Sequence, residues 1–150
     1  MKKTLAIILA LVMSLSLLGA FGASAAEVYD GTSVSASLAG AGTEADPYLI
    51  ANGADLAYFA ANAVAGASYK LTADIVWANA PTANNWTPVP AFSGTFDGNG
   101  YSISGLYCVG ETNVAFLATT EAAAVIKNLT IKDSYPSATG TTGTSGKGSS

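Results

Sequence analysis

The chain has 150 residues, of which 50% are hydrophobic and only 11% are charged. Its six basic residues are all lysines, set against ten acidic residues, and it contains no arginine and no histidine. Nucleic-acid binding and membrane-surface binding both need clustered basic residues, so this composition argues against both classes. The absence of histidine also removes Ser-His-Asp triads, Cys-His pairs and histidine-based zinc sites.

The N-terminal residues have the pattern of a secretory signal peptide. Two lysines open the chain, an almost wholly apolar run follows at Leu5–Leu18, and small residues then allow cleavage after Ala25 or Ala26. We predict that residues 1–26 are a signal peptide and that the mature chain is secreted or displayed at the cell surface. The alternative is a retained membrane anchor, since the apolar stretch is nearly long enough to span a bilayer. Cleavage leaves four basic and ten acidic residues, with no membrane segment in the mature form.

One short amphipathic helix is predicted. Asn52-Gly-Ala-Asp55 supplies capping residues, and four apolar residues follow at helical spacing on one face: Leu56, Phe59, Ala60 and Ala63. We expect the helix to end near Gly66. We interpret it as a lid over the end of a β-structure, whose first strands would otherwise expose unpaired edges. The alternative is an ordinary packing helix of an α+β fold.

The rest of the chain predicts short strands. Residues 69–75 alternate with period two, as in a half-buried strand. Further strands are predicted to begin at Thr95, Tyr101, Leu106, Val114, Val125 and Leu129. Strands this short suit the sides of a three-sided coil, in which each strand pairs with its equivalent one period later. The segments 101–108 resemble 124–131 when Ile103 is aligned with Ile126, and this shift predicts the length of the repeat.

A compact turn interrupts the strands at Asp97-Gly98-Asn99-Gly100. We interpret it as a structural corner, because Gly98 and Gly100 allow positive φ while Asp97 and Asn99 can bond nearby backbone. The alternative is a calcium loop, but calcium takes six to eight oxygen ligands, which four residues cannot supply. We therefore predict no metal and no cofactor.

The coils are predicted to bury one apolar column. Its members are Leu71, Ile75, Phe96, Ile103, Leu106, Ile126, Leu129 and Ile131. Cys108, the only cysteine, is expected to be a buried small hydrophobe rather than half of an intermolecular disulfide. A capped β-helix of about three coils is predicted over residues 27–136, and self-association is expected through its exposed last coil. The Ser/Thr/Gly-rich residues 137–150 contain no large apolar group and are expected to be a linker or tail, as in a truncated piece of a longer surface protein.

Five segments together resemble the beginning of bacterial surface proteins with GLUG-type repeats. They are Gly42–Ile50, Tyr69–Ile75, Trp86–Val89, Phe92–Ile103 and Ile126–Ile131, with Leu56 between the first two. This group includes adhesin-like proteins and the non-catalytic region of IgA-cleaving metallopeptidases. The resemblance implies a mainly all-β fold, namely a right-handed parallel β-helix with an N-terminal cap, and display at the cell surface.

Two sets of residues are candidates for chemistry. Asp74 and Asp97 are the best carboxylate pair for glycoside hydrolysis, which needs one raised pKa, but a strand end and a turn explain them better. We therefore predict no catalytic residues. Four aromatic residues are candidates for a platform that stacks on sugar faces: Trp77, Trp86, Tyr101 and Tyr107. The alternative for these rings is packing in the core.

The function predicted from the sequence is that of an exported, non-enzymatic structural or adhesion module. Its partner would be a host or cell-wall glycan or a surface protein. The alternative is a carbohydrate-binding module, or the remnant of a glycan-active β-helix enzyme. A sugar platform requires Trp77 and Trp86 to be exposed and roughly coplanar, whereas a structural module buries at least one of them.

Overall fold

The structure is a computed structural model that describes residues 26–77, 86–110 and 114–138. The predicted signal peptide up to Ala25 and the predicted linker beyond Ala138 lie outside the described residues. Within these ranges the chain is mostly β-strand with one short helix, so the expected predominance of β-structure is confirmed. No helix in the described ranges is long and apolar enough to cross a membrane.

The helix α1 comprises Gly53–Asn62 and begins as the sequence predicts. The Asn52 side chain accepts a hydrogen bond from the Asp55 amide at 2.9 Å, which caps the first turn. The expected end near Gly66 is wrong, because Ala63 leaves the helical region with ψ of 125°. The Val64 amide donates to the Tyr69 hydroxyl at 2.7 Å instead of to a carbonyl one turn back. The helix therefore ends about one turn before the position that the sequence predicts.

Ten short strands make up the rest of the described chain. In chain order they are β1 (Val28–Tyr29), β2 (Tyr48–Ile50), β3 (Ser68–Leu71), β4 (Ile75–Trp77), β5 (Thr95–Asp97), β6 (Ser102–Ser104), β7 (Tyr107–Gly110), β8 (Val125–Lys127), β9 (Thr130–Lys132) and β10 (Tyr135–Ala138). No strand begins at Val114, contrary to the prediction. The strand β10 also crosses the predicted boundary between the β-helix, expected to end at Pro136, and the linker, expected to begin at Ser137.

The strands form three sheets in which every neighbouring pair is parallel. The first sheet has the order β2-β3-β5-β8, the second β1-β4-β6-β9, and the third consists of β7 and β10. The chain thus passes through the three sheets in turn, and we call each such pass a coil. Successive coils are paired strand by strand, because β5, β6 and β7 are hydrogen-bonded to β8, β9 and β10.

The observed repeat differs from the expected one. Ile103 pairs with Ile131 and Phe96 pairs with Ile126, so equivalent strands lie further apart in the chain than the predicted repeat allows. The predicted repeat is wrong, because it equates Ile103 with Ile126, which lies in a different sheet. Similar apolar triplets recur within one coil as well as between coils, so likeness between triplets does not determine the register.

Five residues with positive φ lie where the chain turns from one sheet to the next. Asn99 (φ 51°) and Gly100 (φ 83°) separate β5 from β6, and Asn128 (φ 53°) separates β8 from β9. Gly105 (φ 78°) and Asp133 (φ 48°) occupy the following corner in successive coils. Left-handed backbone is easiest for glycine and tolerated best among other residues by Asn and Asp, so these residues set where each strand ends.

The core lies between the sheets and beneath α1. Of the predicted column, Leu71, Ile75, Phe96, Ile103 and Leu106 are buried, as is Cys108. Ile126 and Ile131 were expected to be buried, but each is 43% exposed, and Leu129 is only partly buried. These three residues belong to the last coil, where no further strand of the described chain covers them.

The helix covers the opposite end of the stack. It contacts β1, β2 and β4, which include the first strand of each four-stranded sheet. Its Phe59 ring is fully buried, with centroids 4.7 Å from Tyr69 and 5.2 Å from Phe96. One end of the stack is therefore closed by α1, while the other end is open in the described chain.

Candidate interaction sites

The two tryptophans are buried in the core. Each is only 4% exposed, their ring planes are 88° apart, and their centroids are 5.3 Å apart. Trp77 packs on Tyr29, and Trp86 stacks on Phe116 while its Nε1 donates to the Phe116 carbonyl at 3.1 Å. The expectation that Trp77 and Trp86 contribute to an exposed, coplanar sugar platform is therefore wrong. Large indole rings gain more from filling the interior of the coils than from exposure.

The aromatic surface that remains consists of tyrosines. Tyr101 and Tyr107 are half-buried, and Tyr107 stacks on Tyr135 with centroids 5.4 Å apart and planes within 12°. Tyr135 is 60% exposed. Sequence reasoning missed Tyr135, because its contact with Tyr107 depends on the pairing of β10 with β7.

The Asp97–Gly100 turn is held to the next coil by its side chains. Asp97 accepts hydrogen bonds from the Asn99 amide at 2.8 Å and from Asn128 Nδ2 at 3.0 Å, and Lys127 Nζ lies 3.6 Å from its second oxygen. Asn99 donates from Nδ2 to the Leu71 carbonyl of the preceding coil at 3.2 Å. This corner therefore links three successive coils.

The role expected of Gly98 needs correction. It was expected to supply positive φ, but within this corner Asn99 and Gly100 do so. A Cβ on Gly98 would instead lie 2.4 Å from the Asn128 carbonyl oxygen. Gly98 is required because the backbone of the next coil approaches it closely.

The two candidate carboxylates are bound to different partners. Asp74 accepts from the Ser102 amide at 2.7 Å and from the Ser102 hydroxyl at 2.8 Å, and these bonds lower the pKa of Asp74 below its usual 3.8. The Asn128 side chain, together with Lys127 and the Asn99 amide, likewise lowers the pKa of Asp97. A general acid of a glycosidase needs a raised pKa, so neither group has the property expected of that role. No cluster of three or more potential metal ligands occurs in the described part of the chain.

The open end of the stack is formed by β8, β9 and β10. Four large apolar residues on these strands are each at least 43% exposed: Val125, Ile126, Ile131 and Tyr135. Next to them lies a mainly apolar cavity of about 330 Å³, lined among others by Trp86, Leu106, Cys108, Phe116 and Ile131. Burial raises the pKa of the Cys108 thiol, which keeps it protonated and unreactive. This end therefore combines four exposed apolar side chains with an adjoining apolar cavity.

A second cleft lies near the end of α1. It has a volume of about 270 Å³ and is lined by Ser37, Tyr48, Tyr58, Asn62 and Tyr69, with two aliphatic side chains. The Tyr69 hydroxyl accepts from the Val64 amide, so its own hydrogen remains for an acceptor. The half-buried rings of Tyr48 and Tyr58, beside hydroxyl and amide groups, give this cleft the chemistry of a polar, ring-stacking ligand site.

Comparison with known proteins gives one partial similarity. No family model matches the chain, and no solved structure matches it. The chain is 34% identical over 119 residues to halomucin of Haloquadratum walsbyi. The match covers 69% of this chain but only 1% of halomucin, so the chain spans about one hundredth of that protein. The chain is thus similar to a small portion of one very large protein.

Proposed function

We propose that the chain is an exported, non-enzymatic structural module of the cell surface. Its form would be the N-terminal part of a right-handed parallel β-helix with α1 as its cap. The observation that carries this proposal is the parallel pairing of β5, β6 and β7 with β8, β9 and β10, strand by strand and in the same order. A repeated visit to three sheets in the same order is how stacked coils are built.

Two further observations support a structural role. The resemblance of several motifs to those of proteins with GLUG-type repeats would imply surface display, and the similarity to halomucin is compatible with it. The candidate carboxylates Asp74 and Asp97 interact with Ser102, Asn128 and Lys127, and their lowered pKa values suit structural roles. The stack would act by holding Ser, Thr, Asn and Tyr side chains outward at fixed spacing.

The proposal is tested by following export of the full chain in a bacterial host. We expect the product outside the cytoplasm to begin at Ala26 or Glu27, as determined by mass spectrometry of its N-terminal peptide. The variant Leu11→Arg, which places a charge in the apolar run, should remain in the cytoplasm uncleaved. Export of that variant, or retention of the natural chain in the cytoplasm, would contradict the proposal.

Carbohydrate binding is a second candidate function, supported by the cleft beside α1. Tyr48 and Tyr58 supply partly exposed ring faces, while Ser37 and Asn62 supply polar groups, all within one concave surface of about 270 Å³. The cleft replaces the tryptophan platform as the candidate site, because both tryptophans are buried.

Binding at this cleft is measured by titrating the chain with a panel of host and cell-wall saccharides, using calorimetry. If a saccharide binds, Tyr58→Ala should weaken binding by about fivefold or more, because stacking on an aromatic ring contributes about 1–3 kcal/mol to ligand binding by analogy with nucleobases. Tyr101→Ala is the matched control, since Tyr101 is half-buried and lies outside the cleft. The candidate fails if no saccharide binds, or if the control loses as much affinity as Tyr58→Ala.

A further inference from the structure

We propose that two copies of the chain associate end to end through β8 and β9, with a twofold axis near the corner at Asn128. The first observation is the exposure of the last members of two buried columns. Ile126 continues the register of Tyr69 and Phe96, and Ile131 continues that of Ile75 and Ile103. Both isoleucines are 43% exposed, whereas the four residues beneath them are at most 2% exposed. Their side chains point into the stack and are uncovered only at its end.

The second observation concerns the backbone at this end. The Val125 amide donates to the Gly94 carbonyl, and the Lys127 carbonyl accepts from the Gly98 amide, so both groups face the preceding coil. Along a strand in a parallel sheet, the backbone N–H and C=O groups of successive residues point alternately to the strands on its two sides. The N–H and C=O of Ile126 therefore face outward, and the same alternation after Thr130 places those of Ile131 outward.

The third edge strand is different. The Tyr135 amide donates to the Leu106 carbonyl of the preceding coil, so the next residue, Pro136, faces the open edge. Proline has no N–H to donate, and its presence on an edge opposes further strand pairing. Continued pairing is therefore favoured at β8 and β9 and opposed at β10.

A second copy fits this pattern of pairing groups. A twofold axis near Asn128 exchanges β8 with β9 and reverses their direction, so β8 of one copy pairs antiparallel with β9 of the other. When Ile126 lies opposite Ile131 of the second copy, the outward N–H and C=O groups of the two residues face each other. They can then exchange the two hydrogen bonds of a hydrogen-bonded antiparallel pair. The twofold axis generates a second, identical pair between Ile131 and Ile126 of the second copy, as in any isologous interface. Each exposed isoleucine is then covered by the other.

The charges at this end are compatible with the same register. Lys132 then lies opposite Val125 of the second copy, and Lys127 opposite Thr130, so no two like charges face each other directly. Lys127 remains beside Asp97 of its own chain, at 3.6 Å. Directly opposed like charges would destabilise such a pair, and this arrangement contains none.

In a longer chain, the next coil would pair with this same edge. The test distinguishes pairing with a second copy from pairing with such a coil. Sedimentation equilibrium of the full chain, as the producing cell releases it, is expected to show dimers at 100 µM. Ile131→Lys should weaken the dimer at least 100-fold, because the symmetric interface contains the substitution twice. Val34→Lys is the matched control, since Val34 is 60% exposed and lines a cleft with Ala57 and Ala60 of α1. A monomer at 100 µM, or a dimer that Ile131→Lys leaves intact, would overturn the proposal.

Disulfide trapping tests the register without relying on a disruptive substitution. Residues 125 and 132 of opposite copies form a non-hydrogen-bonded pair with Cα atoms about 4.5 Å apart, within the range that a disulfide spans. The double variant V125C/K132C should therefore form a covalent dimer on mild oxidation. V125C/T130C, in which the cysteines do not face each other, should not. Equal trapping of both variants, or none of V125C/K132C, would overturn the proposed register.

Discussion

Replacing Phe59 with alanine is expected to lower the free energy of unfolding by about 3–5 kcal/mol. The Phe59 ring is fully buried and projects from α1 into the end of the stack. Its centroid lies 4.7 Å from that of Tyr69, 5.2 Å from Phe96 and 5.8 Å from Phe92. Removing it leaves a cavity beneath the helix that these rings cannot fill without moving the strands that carry them. Chemical denaturation followed by circular dichroism measures the loss.

Tyr58→Ala is the control for this prediction. Tyr58 is the neighbouring aromatic residue of α1, but its side chain is only half-buried. We expect this substitution to cost about 1 kcal/mol, the usual effect of removing a partly exposed side chain. If the two variants are equally stable, α1 does not close the core and its interpretation as a cap is wrong.

Gly105→Ala is expected to destabilise the chain by about 3 kcal/mol or more, through two contributions that add. Gly105 has φ of 78°, a conformation that costs an alanine about 1–2 kcal/mol. In addition, a Cβ at this position would lie 2.3 Å from the Trp77 carbonyl oxygen. That oxygen belongs to the last residue of β4, so relieving the overlap must move backbone, which adds about 1–3 kcal/mol.

Gly100→Ala separates the two contributions. Gly100 has a similar φ of 83°, but a Cβ there would meet no atom within 4 Å. It should therefore cost only the conformational part, about 1–2 kcal/mol. The measurement is the difference in midpoint of urea denaturation between the two variants. Equal losses would show that close packing of adjacent coils at Gly105 is unimportant.

Much of the local structure is determined by the sequence itself. The capping residues at Asn52 and Asp55 and the spacing of Leu56 and Phe59 define the start and the buried face of α1. The alternation of apolar and polar residues along β3 predicts that Tyr69 and Leu71 are buried, and the apolar character of Cys108 predicts the same for its thiol. These features depend on neighbours within a few residues, so a single sequence contains them.

Contacts between coils were decided only by the tertiary structure. The register that pairs β6 with β9, the contact of Tyr107 with Tyr135 and the close approach at Gly98 all join segments that are distant in sequence. The equivalent residues Ile75, Ile103 and Ile131 are evenly spaced along the chain, but similar apolar triplets at other offsets obscure this spacing in a single sequence.

The burial of the tryptophans and the exposure of Ile126 and Ile131 have the same origin. The sequence determined that all four side chains are large and apolar, and therefore that each gains free energy from burial. Their position in the stack decided the outcome: Trp77 and Trp86 lie between covered coils, whereas the two isoleucines lie in the last one. A side chain is buried only where another layer of the chain lies above it, and the order of layers is a property of the folded chain.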